Sequence, residues 1–230
     1  MRQTSFGYHS YLSYAVYDEL LERLVESGAY VLKLDYPGSY GRGSEFKDQL
    51  STRLGQVDVR GVIKATREVK DDYDIDDVYL IGNSYGGYLG PKALVERERL
   101  FDGAIAINGV FDWFDLLERI PSSPFKTHFN GLVNLEDLQE NFALYEEASV
   151  VKDLPELGRL KRMLLIYGEA DKTVPVWQTR EFFYQAKILG KSVSLLKLEG
   201  EGHIIRERDS LNLMCQFIAD KLLIKDLECG

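Results

Sequence analysis

Short apolar runs alternate with longer stretches of helical spacing along most of the chain. Five runs are continuously apolar and too short for helices, which is typical of buried strands in a parallel sheet. These predicted strands cover residues 29–34, 78–81, 103–107, 163–167 and 193–198. Apolar side chains recur at helical spacing over residues 13–27, 56–69, 85–99, 175–189 and 207–224. The alternation predicts an α/β fold, with a mostly parallel sheet covered by helices on both faces.

Residues 110–160 interrupt this alternation. They contain two shorter predicted helices, at 113–119 and 135–147, and a turn-forming PSSP stretch at 121–124. The segment leaves the carboxyl end of a predicted strand, where α/β sheets place their binding sites. No repeat or linker divides the sequence, so we predict a single domain over residues 1–230.

Charge and hydropathy exclude several classes of function. The 230 residues include 28 Lys and Arg against 37 Asp and Glu, a net charge of −9. This balance repels phosphates, so we expect no nucleic-acid partner. No run approaches the roughly 20 apolar residues that span a bilayer, and the first residues lack the apolar stretch of a signal peptide. We therefore expect a cytoplasmic protein with no membrane partner.

The supply of cysteine and histidine limits the chemistry further. Cys215 and Cys229 are too few for a disulfide framework or a cysteine-based metal site. We expect neither feature, and no metal or cofactor. The three histidines, His9, His128 and His203, are the only candidates for an imidazole base.

A candidate nucleophile follows the second predicted strand. Residues 82–86 read GNSYG and fit the G-x-S-x-G pattern, in which a sharp turn between strand and helix exposes a serine oxygen above the sheet. Glycines at 82 and 86 suit the close approach of strand and helix. The alternative is a structural or phosphate-binding turn, because glycine-rich turns at helix N-termini also bind phosphates. On the first interpretation Ser84 is the nucleophile.

A serine hydroxyl needs a general base, and that base needs an acid to orient it. In α/β-hydrolases the acid and then the base follow the serine in the chain. His203 lies in a loop after the last predicted strand, and Asp171 lies in the loop after the strand at 163–167. Glu169 is the competing acid. The alternatives are a solvent-exposed loop histidine and an aspartate that caps the next helix.

Several further motifs extend the pattern along nearly the whole chain. The chain resembles the catalytic domain of the prolyl oligopeptidase family of serine peptidases, which has an α/β-hydrolase fold. The similar segments are residues 35–43 (DYPGSYGRG), 56–59 (QVDV), 82–88 (GNSYGGY), 111–113 (FDW), 168–175 (GEADKTVP) and 201–203 (EGH).

The resemblance implies a role for each matching residue. Ser84 is the implied nucleophile, Asp171 the orienting acid and His203 the general base. The backbone N–H of Tyr85 would bind the oxyanion. Part of the family uses a tyrosine hydroxyl as second donor, in a loop after the third strand, and Tyr8 falls where that loop is expected.

The same comparison implies a substrate pocket and an incomplete sheet. Trp113 and Phe114 would line the pocket before the cleaved bond, although such aromatics are also common in cores. The family's third strand should lie between the first two strands predicted here, and residues 1–6 look too short and polar to form it. Either a preceding segment of a longer protein supplies it, together with the β-propeller typical of the family, or a truncated product without the β-propeller completes the sheet otherwise, for example in a homo-oligomer.

Three functions remain open. The first is a serine peptidase that hydrolyses short peptides through an acyl-enzyme, and the second is a carboxylesterase or other acyl hydrolase with the same triad. The third is a truncated, catalytically silent domain that acts by protein interaction. For an active triad we expect His203 to lie within about 2.6–3.2 Å of Ser84 and Asp171, with looser distances allowed before substrate binds.

Overall fold

The computed structural model describes residues 4–9, 15–39, 41–50, 53–120, 141–158, 161–224 and 227–229, with residues 4–9 and 15–18 described by their backbone. The strands are β1 (Thr4–His9), β2 (Tyr30–Lys33), β3 (Asp77–Asn83), β4 (Gly103–Ile107), β5 (Arg162–Gly168) and β6 (Val193–Leu198). The helices are α1 (Ala15–Glu26), α2 (Ser44–Asp48), α3 (Val57–Asp72), α4 (Tyr85–Glu96), α5 (Trp113–Arg119), α6 (Phe142–Ala148), α7 (Val150–Asp153), α8 (Val176–Ile188) and α9 (Arg208–Leu222). A 3-10 turn, Leu154–Glu156, follows α7.

The described strands form one sheet in the order β2-β1-β3-β4-β5-β6. Every neighbouring pair is parallel. The predicted α/β-hydrolase architecture is therefore confirmed. The carboxyl ends of all these strands meet at one edge, so the loops that follow β3, β4, β5 and β6 lie side by side.

One prediction about the sheet is wrong. Residues 4–9 form β1, between β2 and β3, in the place of the strand expected to be missing. Gly7, for example, pairs with Leu32 on one side and Leu80 on the other. A central strand satisfies its backbone groups on both neighbours, and this pairing does not require an apolar sequence.

The hydrophobic core lies on both faces of the sheet. Alternate strand residues point to opposite faces, so Ala104 and Ala106 join the cluster beneath α3, α4 and α8, while Ile105 and Ile107 join the cluster beneath α1 and α9. The small alanines allow α4 to pack close to β4. This close packing fixes the position of the turn that leads into α4.

The two cysteines are bonded to each other. Cys215 in α9 forms a disulfide with Cys229, 14 residues later. A single bond is not a disulfide framework, but the sequence did not predict it, because pairing depends on residues 227–229 returning to α9, which residue spacing does not reveal. Disulfides persist mainly in oxidising compartments, so this bond does not support the predicted cytoplasmic location. Among the described helices, none is long and apolar enough to cross a membrane.

Candidate active site

Ser84 occupies a strained turn between β3 and α4. Its φ of 56° and ψ of −116° lie outside the helical and extended regions of a non-glycine residue. The turn is held by the Ser84 N–H, which donates to the Ile107 carbonyl at 2.8 Å, and by the Ser84 carbonyl, which accepts from the Tyr88 N–H at 3.1 Å. Strain of this kind persists only where the surrounding structure maintains it, and such positions cluster at active sites. The geometry is that of the predicted nucleophile elbow.

Glycine is required on both sides of this turn. A Cβ atom added to Gly82 would lie 2.3 Å from the carbonyl carbon of Gly86. A Cβ added to Gly87 would lie 2.7 Å from the Ile107 carbonyl oxygen. The first turn of α4 therefore rests directly on the backbone of β3 and β4.

The Ser84 hydroxyl is not used to cap the helix. Ser84 is the N-cap residue of α4, a position where a serine oxygen usually accepts from an amide of the first turn, yet it forms no side-chain cap bond. The residue is half-buried. Tyr85 is the first residue of α4, at the positive end of the helix dipole.

Asp171 lies in the loop after β5, where its carboxylate is held in one orientation. Its Oδ1 atom accepts from the N–H groups of Thr173 at 2.7 Å and Val174 at 3.1 Å. Its Oδ2 atom bonds to Nδ1 of His203 at 2.8 Å, and only 1% of the Asp171 side chain is exposed. Glu169, the competing acid, instead pairs with Lys197 at the surface. The structure therefore brings Asp171 to the histidine.

His203 lies in the loop after β6, with 19% of its side chain exposed. Its bond to Asp171 leaves Nε2 as the ring nitrogen available to a nucleophile. The predicted distance to Asp171 is confirmed. Within the described part of the chain, Ser84 and His203 form no hydrogen bond, and catalytic hydrogen bonds are often long or poorly aligned before substrate binds.

Glu201 shapes the loop that carries His203. Its side chain is buried, and its two carboxylate oxygens accept from the N–H groups of Arg206 at 3.0 Å and Glu207 at 2.9 Å. The Glu201 carbonyl also accepts from the Ala170 N–H at 2.8 Å, which joins this loop to the loop of the acid. Hydrogen bonds thus hold the loop in place both before and after His203.

A buried carboxyl group accepts a hydrogen bond from the Tyr85 side chain. The Tyr85 hydroxyl donates to Oδ2 of Asp58 at 2.5 Å, and Asp58 in α3 is fully buried. Desolvation raises the pKa of Asp58 to about 6, and the bond from Tyr85 partly opposes that rise. Burial, followed by the Asp58 charge, also holds the pKa of Tyr85 well above its usual range. The phenol therefore stays protonated and able to donate.

The predicted pocket residues differ in exposure. Trp113 is fully buried. The centroid of its ring lies 5.2 Å from that of Tyr88 and 6.0 Å from that of Tyr85, so Trp113 packs against α4. Phe114 is half-buried and packs edge-on against Phe142 of α6 at 4.8 Å. A substrate contact for Trp113 or Phe114 stays a prediction.

Tyr8 lies inside β1 and not in a loop after it. Its backbone pairs with Lys33 and Ile81. The expectation of a loop is corrected, because residues 5–8 of β1 pair on both sides as a central strand. The Tyr8 side chain lies outside the described part of the structure, so its role as an oxyanion donor also stays a prediction.

Sequence reasoning did not single out the buried polar residues around the site. Asp58, Glu201 and Asn108 are all buried. Asp58 and Glu201 lay inside matched motifs without an assigned role, whereas a single polar residue directly after an apolar strand was the only signal at Asn108. Among the described residues, no group of three or more His, Cys, Asp or Glu side chains could hold a metal ion.

Comparison with known proteins decides the family. Residues 16–223 match the sequence profile of the prolyl oligopeptidase family. The chain belongs to the prolyl oligopeptidase family. It is similar to the acylamino-acid-releasing enzyme of Mus musculus, with 26% identity over 189 residues, and to dipeptidyl peptidase 8 of the same organism, with 27% identity over 193 residues. These matches cover 80% and 83% of this chain, but only 26% and 21% of the relatives.

Solved structures agree on the fold. An acylaminoacyl peptidase from Pyrococcus horikoshii superposes with a TM-score of 0.80 at 22% identity, covering 94% of this chain and 37% of that one. A puromycin-hydrolyzing peptidase from Mycobacterium tuberculosis superposes with a TM-score of 0.81 at 23% identity, covering 98% and 34%. The chain thus spans about a fifth to a quarter of the two sequence relatives and somewhat more than a third of the two solved chains.

Proposed function

We propose that residues 1–230 act as one catalytic domain of a serine-type peptidase, with Ser84, Asp171 and His203 as its triad. The observation that carries this proposal is the strained Ser84 turn combined with the 2.8 Å bond between Asp171 and His203. These groups come from three separate loops at one edge of the sheet. Family membership supplies the reaction class, the hydrolysis of peptide bonds.

The proposed reaction has two stages. His203 Nε2 takes the proton from Ser84 Oγ as that oxygen attacks the substrate carbonyl, and Asp171 stabilises the resulting imidazolium. The Tyr85 N–H donates to the oxyanion of the tetrahedral intermediate. The carbon–nitrogen bond then breaks, the leaving amine takes the proton from His203, and an acyl-enzyme remains. Water activated by the same imidazole hydrolyses the ester and restores Ser84.

Short peptides are the proposed substrates. Two of the relatives are named acylamino-acid-releasing enzyme and dipeptidyl peptidase, names that denote peptide substrates. The pocket for the residue before the cleaved bond is proposed beside Phe114, because Trp113 is covered by other side chains. Tyr8 is retained as the proposed second oxyanion donor.

Labelling with a fluorophosphonate probe tests the nucleophile. We expect the wild type to label and Ser84→Ala, which removes only the hydroxyl oxygen, to stay unlabelled. Asp171→Asn keeps the size of the acid and is expected to lower the labelling rate by about 10⁴-fold through loss of the correct tautomer. A folded wild-type chain that takes no label would contradict the proposal and support a catalytically silent domain.

Parallel turnover assays test the reaction class. The substrates are acyl-aminoacyl and dipeptidyl amides, with short-chain esters as the comparison. Hydrolysis of the amides by the wild type and not by Ser84→Ala supports a peptidase. Ester turnover without amide turnover would assign the same triad to a carboxylesterase.

A further inference from the structure

Asn108 is a buried polar residue at the point where β4 ends. It is 2% exposed and has a φ of 48°, in the left-handed region that asparagine adopts more readily than most residues. Its N–H donates to the Ile166 carbonyl at 2.9 Å, which anchors its backbone to β5. The side chain is thereby directed between the loops that follow β5 and β6.

The amide oxygen of Asn108 bonds to the start of the acid loop, the loop after β5 that carries Asp171. Asn108 Oδ1 accepts from the Gly168 N–H at 2.9 Å. The Gly168 carbonyl then accepts from the Asp171 N–H at 3.1 Å. One further hydrogen bond therefore connects Asn108 to the backbone of the proposed acid.

The amide nitrogen of Asn108 bonds to the base loop, the loop after β6 that carries His203. Asn108 Nδ2 donates to the His203 carbonyl at 2.8 Å and to the Gly202 carbonyl at 3.3 Å. The first of these acceptors belongs to the proposed base itself. Oxygen and nitrogen of the amide cannot exchange places, since an N–H group faces one side and two carbonyls face the other.

Van der Waals contact brings the same two loops together at Gly168. A Cβ atom added there would lie 2.3 Å from the Gly202 carbonyl oxygen and 2.6 Å from the Glu201 carbonyl oxygen. The loops therefore have no space for a side chain between them, and the Asn108 amide connects them across this contact. The Ala170 N–H also donates to the Glu201 carbonyl at 2.8 Å, and the Asn108 amide adds a donor and an acceptor from a third strand to this direct backbone bond.

We propose that Asn108 is a positioning residue that holds the Asp171 loop and the His203 loop in register, so that the imidazole meets its acid and faces Ser84. This inference rests on the proposed function. Under this inference, the alignment of the acid and the base depends on a side chain outside the triad. Since misplacement of a reacting group by about 1 Å can cost about 10²-fold in rate, the alignment has a measurable effect.

Two substitutions separate the side chain from the backbone conformation. Asn108→Gly keeps the positive φ without strain and removes the amide. Asn108→Asp keeps the size and an acceptor for the Gly168 N–H, but places a carboxylate oxygen against two carbonyl oxygens. We expect both variants to lower kcat by about 10²-fold with KM within about 3-fold, the pattern of lost transition-state alignment. Ile218→Ala, a core truncation in the second half of α9, is the control for lost stability and is expected to keep kcat.

A second readout does not depend on turnover. The Nδ1 proton of His203, held against Asp171, is followed by proton NMR and assigned by its absence in His203→Ala. We expect this signal to be lost or shifted in Asn108→Gly and Asn108→Asp, and unchanged in Ile218→Ala. A merely structural role for Asn108 would lower the unfolding temperature and leave this proton in place.

The outcomes are distinct. Asn108→Gly with wild-type kcat and an unchanged His203 proton overturns the inference while the proposed function stands. A wild type that neither turns over substrate nor takes the fluorophosphonate label overturns the proposed function. In that case the His203 proton alone decides the role of Asn108, since its retention in both variants overturns the positioning role and its loss supports it.

Discussion

Replacing Asp58 with asparagine tests the carboxyl group beneath Tyr85. Asp58 is fully buried in α3 and accepts a hydrogen bond from the Tyr85 hydroxyl, while Tyr36 stacks on the Tyr85 ring with centroids 5.3 Å apart. An asparagine oxygen can accept the same hydrogen bond without carrying a charge. The variant Asp58→Asn therefore removes the ionisation and keeps the contact.

The pKa of Asp58 determines the size and sign of the effect. The folded value of about 6 lies above the unfolded value of 3.8, so the folded chain binds more protons between these two pH values. Stability contributed by the neutral carboxyl is fully present below pH 3.8 and is lost as the pH rises through 6. About two pKa units correspond to about 3 kcal/mol, of which about 2 kcal/mol falls between about pH 4.5 and about pH 7.5.

Urea denaturation, followed by tryptophan fluorescence, measures this difference. We expect the free energy of unfolding of Asp58→Asn minus that of the wild type to rise by about 2 kcal/mol from about pH 4.5 to about pH 7.5, since other titrating groups cancel between the two proteins. Asp72→Asn removes the same charge from an exposed position on the same helix and is the matched control. A difference for Asp58→Asn that changes with pH no more than that of Asp72→Asn would refute the reasoning.

Three further changes test other parts of the fold. Gly82→Ala should lower kcat by about 10²-fold or more, because the new methyl group collides with the backbone of Gly86. Circular dichroism should show unchanged helix content, and wild-type turnover would show that the turn at Ser84 tolerates the methyl group. Cys229→Ser should lower the free energy of unfolding by about 3 kcal/mol under oxidising conditions and by nothing under reducing ones, and a free-thiol assay on the wild type must find no thiol. Lys92→Met should lower the free energy of unfolding by about 3 kcal/mol, because it removes the buried ammonium that bonds to Asp153 at 2.5 Å and to the Glu147 carbonyl at 2.6 Å. Adding Asp153→Leu should restore part of that loss in thermal unfolding, since it removes one of the two carboxylates that pair with Lys92. A double variant as unstable as the single one would show that the charge pair itself stabilises the fold.

Much of the candidate site followed from local rules. The G-x-S-x-G pattern predicted a sharp turn at Ser84, and the positive φ of that residue has the geometry this turn requires. The chain order of nucleophile, acid and base selected Asp171 and His203, which the structure places 2.8 Å apart. Both inferences depend on neighbours in the chain or on strand order, which a sequence displays directly.

Other features depended on partners distant in the chain. Asp58 and Tyr85 are 27 residues apart, and Asn108 and His203 are 95 apart. Neither sequence separation predicts that the two residues are in contact. In each case a single polar side chain is buried only because a distant group satisfies its hydrogen bonds, so the residue by itself is not evidence of the bond.

The sequence alone determined the identity of most strands and helices, because apolar runs and helical spacing express how each segment buries its own side chains. It also determined the order in which the loops with Ser84, Asp171 and His203 leave the sheet. Only the tertiary structure decided that residues 4–9 form a central strand, since β1 is held by backbone pairing to two neighbours and not by apolar composition. Only the tertiary structure brought Asn108 between the acid and base loops, because parallel strands distant in sequence end at one edge of the sheet.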